Sequence, residues 1–202
     1  MPIFAYGETE TTYLSERDPQ LGAYIAAVGP IARETRPEPF ASLIHSIVGQ
    51  QISTQARETV WRRLLECCGK ITPENIAAQS TEALRAAGLS GRKVEYIQEA
   101  TARTLTGEFD WQDLSRHEDE ELISRLTALR GVGRWTVEML LLFSWERPDV
   151  LSYDDLAIRR GICRLYSLER IDQKQFALLR ERYSPYGSVA SLYLWHRASN
   201  EE

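Results

Sequence analysis

Leu126-Thr127-Ala128-Leu129-Arg130-Gly131-Val132-Gly133-Arg134-Trp135-Thr136-Val137-Glu138 is the stretch on which the reading of this chain turns. An apolar helix end, a Gly-Val-Gly turn and an apolar helix start form one unit. Neither glycine carries a Cβ, so the backbone can turn sharply, adopt φ > 0 and expose successive N–H groups to an anion. That is the outline of a phosphate-binding helical hairpin. It is also the outline of an ordinary helix-helix turn with a glycine C-cap, and Gly-x-Gly alone does not separate the two. The flanking residues and the Asp154-Asp155 pair, about five helical turns downstream, tip the balance toward the first.

Working outward, nearly every segment reads as helix. Toward the N-terminus, Asp18-Pro19 is a cap and first-turn pair, and Gly29-Pro30 stops that helix. Phe40, Leu43, Ile44, Ile47 and Val48 then share one face at helical spacing. Gly49-Gln50-Gln51-Ile52 is a polar interruption, and Ser53, Thr72, Ser80 and Ser90 each open a helix. The first hairpin helix is expected from Ser115 to Leu129 and the second from Arg134 to Trp145. Arg147 to Tyr153 reads as extended, Leu156 to Tyr166 as helix, Asp172 as a cap, and Pro185 as the start of a last helix. No strand pattern or repeat interrupts this, so an all-α fold is expected.

With 202 residues, 43% of them hydrophobic, the chain can bury a core as one domain or as two small lobes. Its net charge of -5 argues against a broad basic nucleic-acid surface. Local contacts through backbone amides and helix N-termini remain open. Cys67 and Cys68 are adjacent and Cys163 stands apart. That spacing suits small buried hydrophobes and points away from a disulfide framework, a zinc site or an iron-sulfur cluster. No leader pattern and no run of roughly 20 apolar residues is present, so a cytoplasmic protein without a membrane segment is expected.

Leu129-Arg130-Gly131-Val132-Gly133-Arg134-Trp135-Thr136, followed by Asp154-Asp155-Leu156-Ala157-Ile158-Arg159-Arg160, resembles the helix-hairpin-helix DNA glycosylases, most closely the AlkA-type 3-methyladenine group. Gly49-Gln50-Gln51-Ile52-Ser53, Gly88-Leu89-Ser90-Gly91-Arg92-Lys93 and Ser188-Val189-Ala190-Ser191-Leu192-Tyr193-Leu194-Trp195 match the same group, so the resemblance covers residues 40 to 197. It implies one domain over residues 1–202, built of two helical lobes with an active-site cleft between them. Residues 35–130 would carry a wedge loop, and 1–34 with 131–202 the second hairpin helix and the catalytic aspartate. The implied protein is a monomer of the bacterial cytosol and nucleoid that binds damaged double-stranded DNA. It flips alkylated purines, 3-methyladenine and 7-methylguanine, out of the duplex and hydrolyses their N-glycosidic bonds in base-excision repair. The length leaves no room for the additional N-terminal β domain of the longest relatives.

Cleaving an N-glycosidic bond builds positive charge on the sugar, which a nearby carboxylate stabilises. The resemblance assigns that role to Asp155. Acidic residues also cap helices, and here Asp154 is expected to cap while Asp155 enters the site. Bifunctional relatives carry a strand-cutting lysine where this chain has Trp135, which implies a monofunctional enzyme and an aromatic face for a cationic base. The alternative for Trp135, less favoured, is a core residue at the start of an apolar helix. Gln51, then Ser53, are the wedge candidates, with a plain helix cap the alternative for Ser53. N–H groups from Gly131 and Gly133 to Thr136 would hold a phosphate; Lys93, Arg92 and Arg134 would add phosphate contacts or be solvated charge. Backbone carbonyls of Thr127, Leu129 and Val132 would hold a monovalent Na+ or K+, and no cofactor is required.

Two positions depart from the pattern. Gly187 stands where relatives commonly carry an arginine, and Met139 where some carry an aromatic residue. Base stacking then falls on Trp135, Tyr153 and Trp195, with Trp195 as readily core as pocket. The rival readings are a glycosylase for ethenoadenine, hypoxanthine or a mismatched base, and a non-catalytic DNA-binding module.

Overall fold

Side-chain caps open most of the helices, and the computed structural model of the chain, which describes residues 2–200, shows where each one ends. Positions 1, 201 and 202 of the expected domain lie outside the described residues. In chain order the helices are α1 (Glu8–Arg17), α2 (Pro19–Val28), α3 (Pro39–Gly49), α4 (Thr54–Cys68), α5 (Pro73–Ala77), α6 (Thr81–Ala86) and α7 (Gly91–Leu105). They continue with α8 (Trp111–Leu114), α9 (Asp119–Leu126), α10 (Arg134–Phe143), α11 (Leu156–Tyr166), α12 (Gln173–Tyr183) and α13 (Gly187–Ser199). Among the described residues there is no strand, only an isolated bridge between Ile3 and Glu34, so the fold is all-α as expected. No helix among them is long and apolar enough to cross a membrane.

The expected caps form. Ser53, Thr72, Ser80 and Ser90 each accept from the N–H three residues on, and Asp172 forms a capping box with Gln175. Each is worth about 1 kcal/mol. The helix expected from Ser115 is shorter than its pattern suggested. Ser115 ends α8, its hydroxyl donating to the Gln112 carbonyl at 2.6 Å, and α9 starts only at Asp119. The last helix starts at Gly187 rather than Pro185. Helix α1 has no counterpart in the sequence reading, because it buries only Leu14 and so presents no apolar stripe.

The chain falls into two compact units, Met1–Arg36 with Leu141–Glu202, and Pro37–Leu140. In the second, α3 is central: Phe40, Leu43, Ile44, Ile47 and Val48 are all buried, as are Leu64, Ile97, Leu122 and Leu126. Each such side chain contributes roughly 1.5–3 kcal/mol on burial. In the first unit the backbones of α11 and α13 touch, since a Cβ on Gly161 would lie 2.1 Å from the Leu194 carbonyl oxygen.

The boundary between the units corrects the expected division at residues 130 and 131. It falls inside α10, so the hairpin turn and most of α10 belong with residues 37–140 rather than with the aspartate. Packing explains this. Gln50 Nε2 donates to the Gly131 carbonyl at 2.8 Å, Arg130 pairs with Glu99, and Val132, Val137 and Leu140 are buried.

Candidate active site

The two glycines of the hairpin are glycine for different reasons. Gly131 has φ 77°, and a Cβ there would sit 2.2 Å from the Tyr96 ring, so the fold itself demands it. Gly133 has no positive φ, and a Cβ would meet nothing within 4 Å. Its outer side is open space, and its carbonyl accepts the Val137 N–H at 3.3 Å where α10 begins. Two positions into α10, Trp135 is 41% exposed and therefore is not a core tryptophan. Thr136 beside it is buried.

Arg134 does not present an open guanidinium to a phosphate. It forks onto Glu120 through Nη1 at 3.0 Å and Nη2, and its Nε donates to Glu138 at 3.0 Å. The hydrogen bonds to Glu120, ahead of those to Glu138, raise its pKa further above an already high value. Arg134 thus braces α9 against α10.

Lys93 departs from expectation in the same way. Its Nζ donates to the carbonyls of Val48 and Gln50, at 2.8 and 2.7 Å, where α3 ends. Burial lowers its pKa. Arg92, one residue earlier, is exposed. In the loop that Lys93 holds, Gln51 is exposed with φ 56°, and the Ser53 hydroxyl accepts the Ala56 N–H at 3.2 Å. Ser53 is thus a helix cap.

The other unit carries Asp155, and there the cap expected of Asp154 is made by Asp155. Asp155 itself caps α11, its Oδ1 accepting the Ala157 and Ile158 N–H groups at 2.8 and 2.9 Å, while Asp154 is exposed in the preceding turn. Asp155 is only 7% exposed, whereas Leu156 next to it is 68% exposed. The helix N-terminus thus fixes the carboxylate and stabilises its negative charge. Tyr153 packs edge-on against Phe176, with the Arg159 guanidinium 5.0 Å from its ring centre.

Trp195 stacks on Phe143 at 5.6 Å between centroids, with the Arg33 guanidinium over both rings. Trp195 is half-buried in this stack. The Gly187 departure also has a physical reason. Its N–H donates to Asp149 Oδ1 at 3.1 Å, and a Cβ would come within 2.7 Å of that oxygen. Met139 is half-buried.

Around the hairpin turn, the carbonyls of Ala128 and Gly131 take Arg103 at 3.2 Å and Gln50 at 2.8 Å. The Leu129 carbonyl takes the Val132 N–H at 3.2 Å. The backbone carbonyls of Thr127, Leu129 and Val132 lie in this turn and are neutral oxygen donors of the type that hard cations prefer. Gln50 and Tyr96 are the residues that sequence reasoning missed. Gln50 stood inside a quoted motif, but nothing in Gly-Gln-Gln says which glutamine faces inward.

The fold and the hairpin are those of helix-hairpin-helix proteins. The model of the HhH-GPD superfamily of base excision DNA repair proteins matches residues 44–185, and the chain belongs to that superfamily. It is 34% identical over 193 residues to DNA-3-methyladenine glycosylase 1 of Schizosaccharomyces pombe, covering 93% of this chain and 85% of that protein. The crystal structure of a DNA-3-methyladenine glycosidase from Bacillus halodurans superposes with a TM-score of 0.88 at 36% identity, covering 99% of this chain and 94% of that one. The S. pombe 3-methyladenine DNA glycosylase in complex with abasic DNA gives 0.83 at 34% identity, with 96% and 98% covered.

Proposed function

We propose that this chain is a monofunctional DNA glycosylase that flips alkylated purines, 3-methyladenine and 7-methylguanine, out of duplex DNA and hydrolyses their N-glycosidic bonds. The observation that carries this reading is Asp155, a buried carboxylate held by two helix N–H groups in a family of base-excision proteins. As the bond between C1′ and the base nitrogen breaks, the base leaves with the electron pair and the sugar becomes cationic. A fixed carboxylate stabilises that charge and can accept a proton from the water whose oxygen bonds to C1′. Alkylated purines are cationic and good leaving groups, so modest catalysis suffices.

Base stacking rests on Trp135, which is 41% exposed and whose π face favours a cationic base. Trp135 also stands where bifunctional relatives carry lysine, so no Schiff base forms and an abasic site is the product. The open side of Gly133 suits the approach of a phosphate to the hairpin. Carbonyls of Thr127, Leu129 and Val132 would hold a monovalent cation there, which adds positive charge near that phosphate.

A lesion panel tests the proposal. Wild-type protein is expected to release 3-methyladenine and 7-methylguanine above the spontaneous rate, with strand cleavage appearing only after alkali. Asp155→Asn is expected to bind DNA and release nothing. Release confined to ethenoadenine, hypoxanthine or a mismatched base would overturn the substrate assignment. Equal inactivity of both proteins on every lesion would leave a DNA-binding module.

A further inference from the structure

We infer that Lys93 and Gln50 are positioning residues that lock the loop between α3 and α4 to the hairpin, so that Gln51 meets the duplex in fixed register with the phosphate held at the hairpin. This rests on the glycosylase reading above and adds residues to it that act through others.

The chain of contacts lies wholly within the Pro37–Leu140 unit. The last carbonyls of a helix lack intrahelical partners and carry partial negative charge. At the end of α3 the Lys93 ammonium supplies those partners, donating to Val48 and Gln50. A lysine kept for phosphate contact would remain in solvent, whereas this one is drawn in. Gln50 is then held twice, by its own carbonyl on Lys93 and by its side-chain amide on the Gly131 carbonyl at 2.8 Å.

Both ends of this bridge are packed. Gly131, at φ 77°, lies against the Tyr96 ring, and Gly49 lies against Arg57, whose Cδ is 2.8 Å from where a Cβ would be. Gln51 follows directly, at φ 56°, a conformation uncommon for any residue with a Cβ. The Ser53 cap fixes the far side of the loop. Gln51 is thus an exposed residue on a loop anchored on both sides, with one anchor on the hairpin itself. Gripping a phosphate needs only the hairpin; opening the base stack at the right nucleotide needs the loop held relative to it.

The experiment uses Gln50→Leu, which removes one exposed hydrogen bond, and Lys93→Met, which keeps the stem and removes the donors. A duplex with a tetrahydrofuran abasic analogue beside 2-aminopurine reports insertion of the loop by fluorescence, independently of base release. Each variant is expected to lose about tenfold in the insertion constant and in single-turnover release of 3-methyladenine, since small misplacements of a reacting assembly have effects of that size or larger. Affinity for undamaged duplex is expected to change by less than about twofold, because the phosphate contacts remain. Because both side chains act on one loop, the double variant is expected to lose less than the product of the two single losses. Variants with a lower Tm but wild-type insertion and release per folded molecule would overturn the inference, as would a wild-type protein giving no insertion signal. Wild-type insertion without release of any alkylated base would overturn the glycosylase reading alone.

Discussion

Asp18 and Asp155 are the same local device in the same unit. Each is a buried aspartate at a helix N-cap, with Oδ1 accepting two N–H groups, from Gln20 and Leu21 in one case and from Ala157 and Ile158 in the other. Their surroundings differ. Asp18 Oδ2 accepts from Tyr166, from Tyr183 at 3.2 Å and from Arg182 at 3.0 Å, and the two tyrosine hydroxyls lie 2.7 Å apart. Burial would raise the Asp18 pKa, but the hydrogen bonds from Tyr166, the Leu21 amide, Arg182 and Tyr183 outweigh it and hold it below the ordinary value. Burial pushes both tyrosine hydroxyls well above theirs. Asp18 therefore ties α2 to α11 and α12, whereas Asp155 follows the turn at Tyr153 and Asp154 and precedes a solvent-facing Leu156. A cap motif says that a carboxylate is fixed; only its neighbourhood says whether that carboxylate serves structure or reaction.

The largest effect expected is that of Asp155→Asn. Asparagine caps a helix as well as aspartate does, so Tm should barely move. Single-turnover base release should fall by at least roughly 100-fold, the scale of a lost electrostatic contact in the transition state. A variant that melted early yet kept its rate would make Asp155 a second Asp18.

Asp18→Asn should do the reverse. Its amide nitrogen cannot accept from the tyrosine and arginine donors, which costs about 2–3 kcal/mol in urea unfolding, while release per folded molecule stays unchanged. A lower rate at full folding would merge the two roles.

Acid sharpens the contrast further. The Asp18 contribution is complete above the unfolded carboxyl value near 3.8, shrinks as the pH falls below it, and is gone below the folded value. The stability gap between wild type and Asp18→Asn should therefore be flat from about pH 7 to about pH 5 and close below about pH 4. A gap that persisted in acid would mean the hub does not depend on an ionised Asp18.

The smallest effect carries the comparison to the hairpin, where Gly131 is explained by the protein and Gly133 is not. Gly133→Ala should leave stability within about 0.5 kcal/mol and weaken binding to undamaged duplex several-fold in a fluorescence titration. Unchanged binding would remove Gly133 from the phosphate site.

Features set within one helical turn were legible before the structure. Ser53, Thr72, Ser80, Ser90 and Asp172 announce helix starts because a cap and its N–H partner are two or three residues apart. The adjacent acids were harder: either Asp154 or Asp155 could cap, and backbone geometry chose the one whose side chain folds back over α11. The protein partners of charged and aromatic residues could not be read from the sequence, because they are distant in it. The carbonyls that hold Lys93 are 45 and 43 residues away, and Glu120 is 14 residues from Arg134. Trp195 was equally ambiguous until Phe143 and Arg33 were placed on it.

By itself the sequence determined the all-α class, the hairpin at Gly131 and Gly133, and the acidic pair ahead of α11. These depend on residue type and short spacing, which helix periodicity and capping translate directly into structure. Only the tertiary structure decided that the hairpin packs with residues 37–140, that Lys93 and Gln50 join it to the Gln51 loop, and that Asp18 gathers Tyr166, Tyr183 and Arg182. Those outcomes depend on backbone carbonyls and on pairings across many residues, and a carbonyl has the same chemistry whatever side chain it follows.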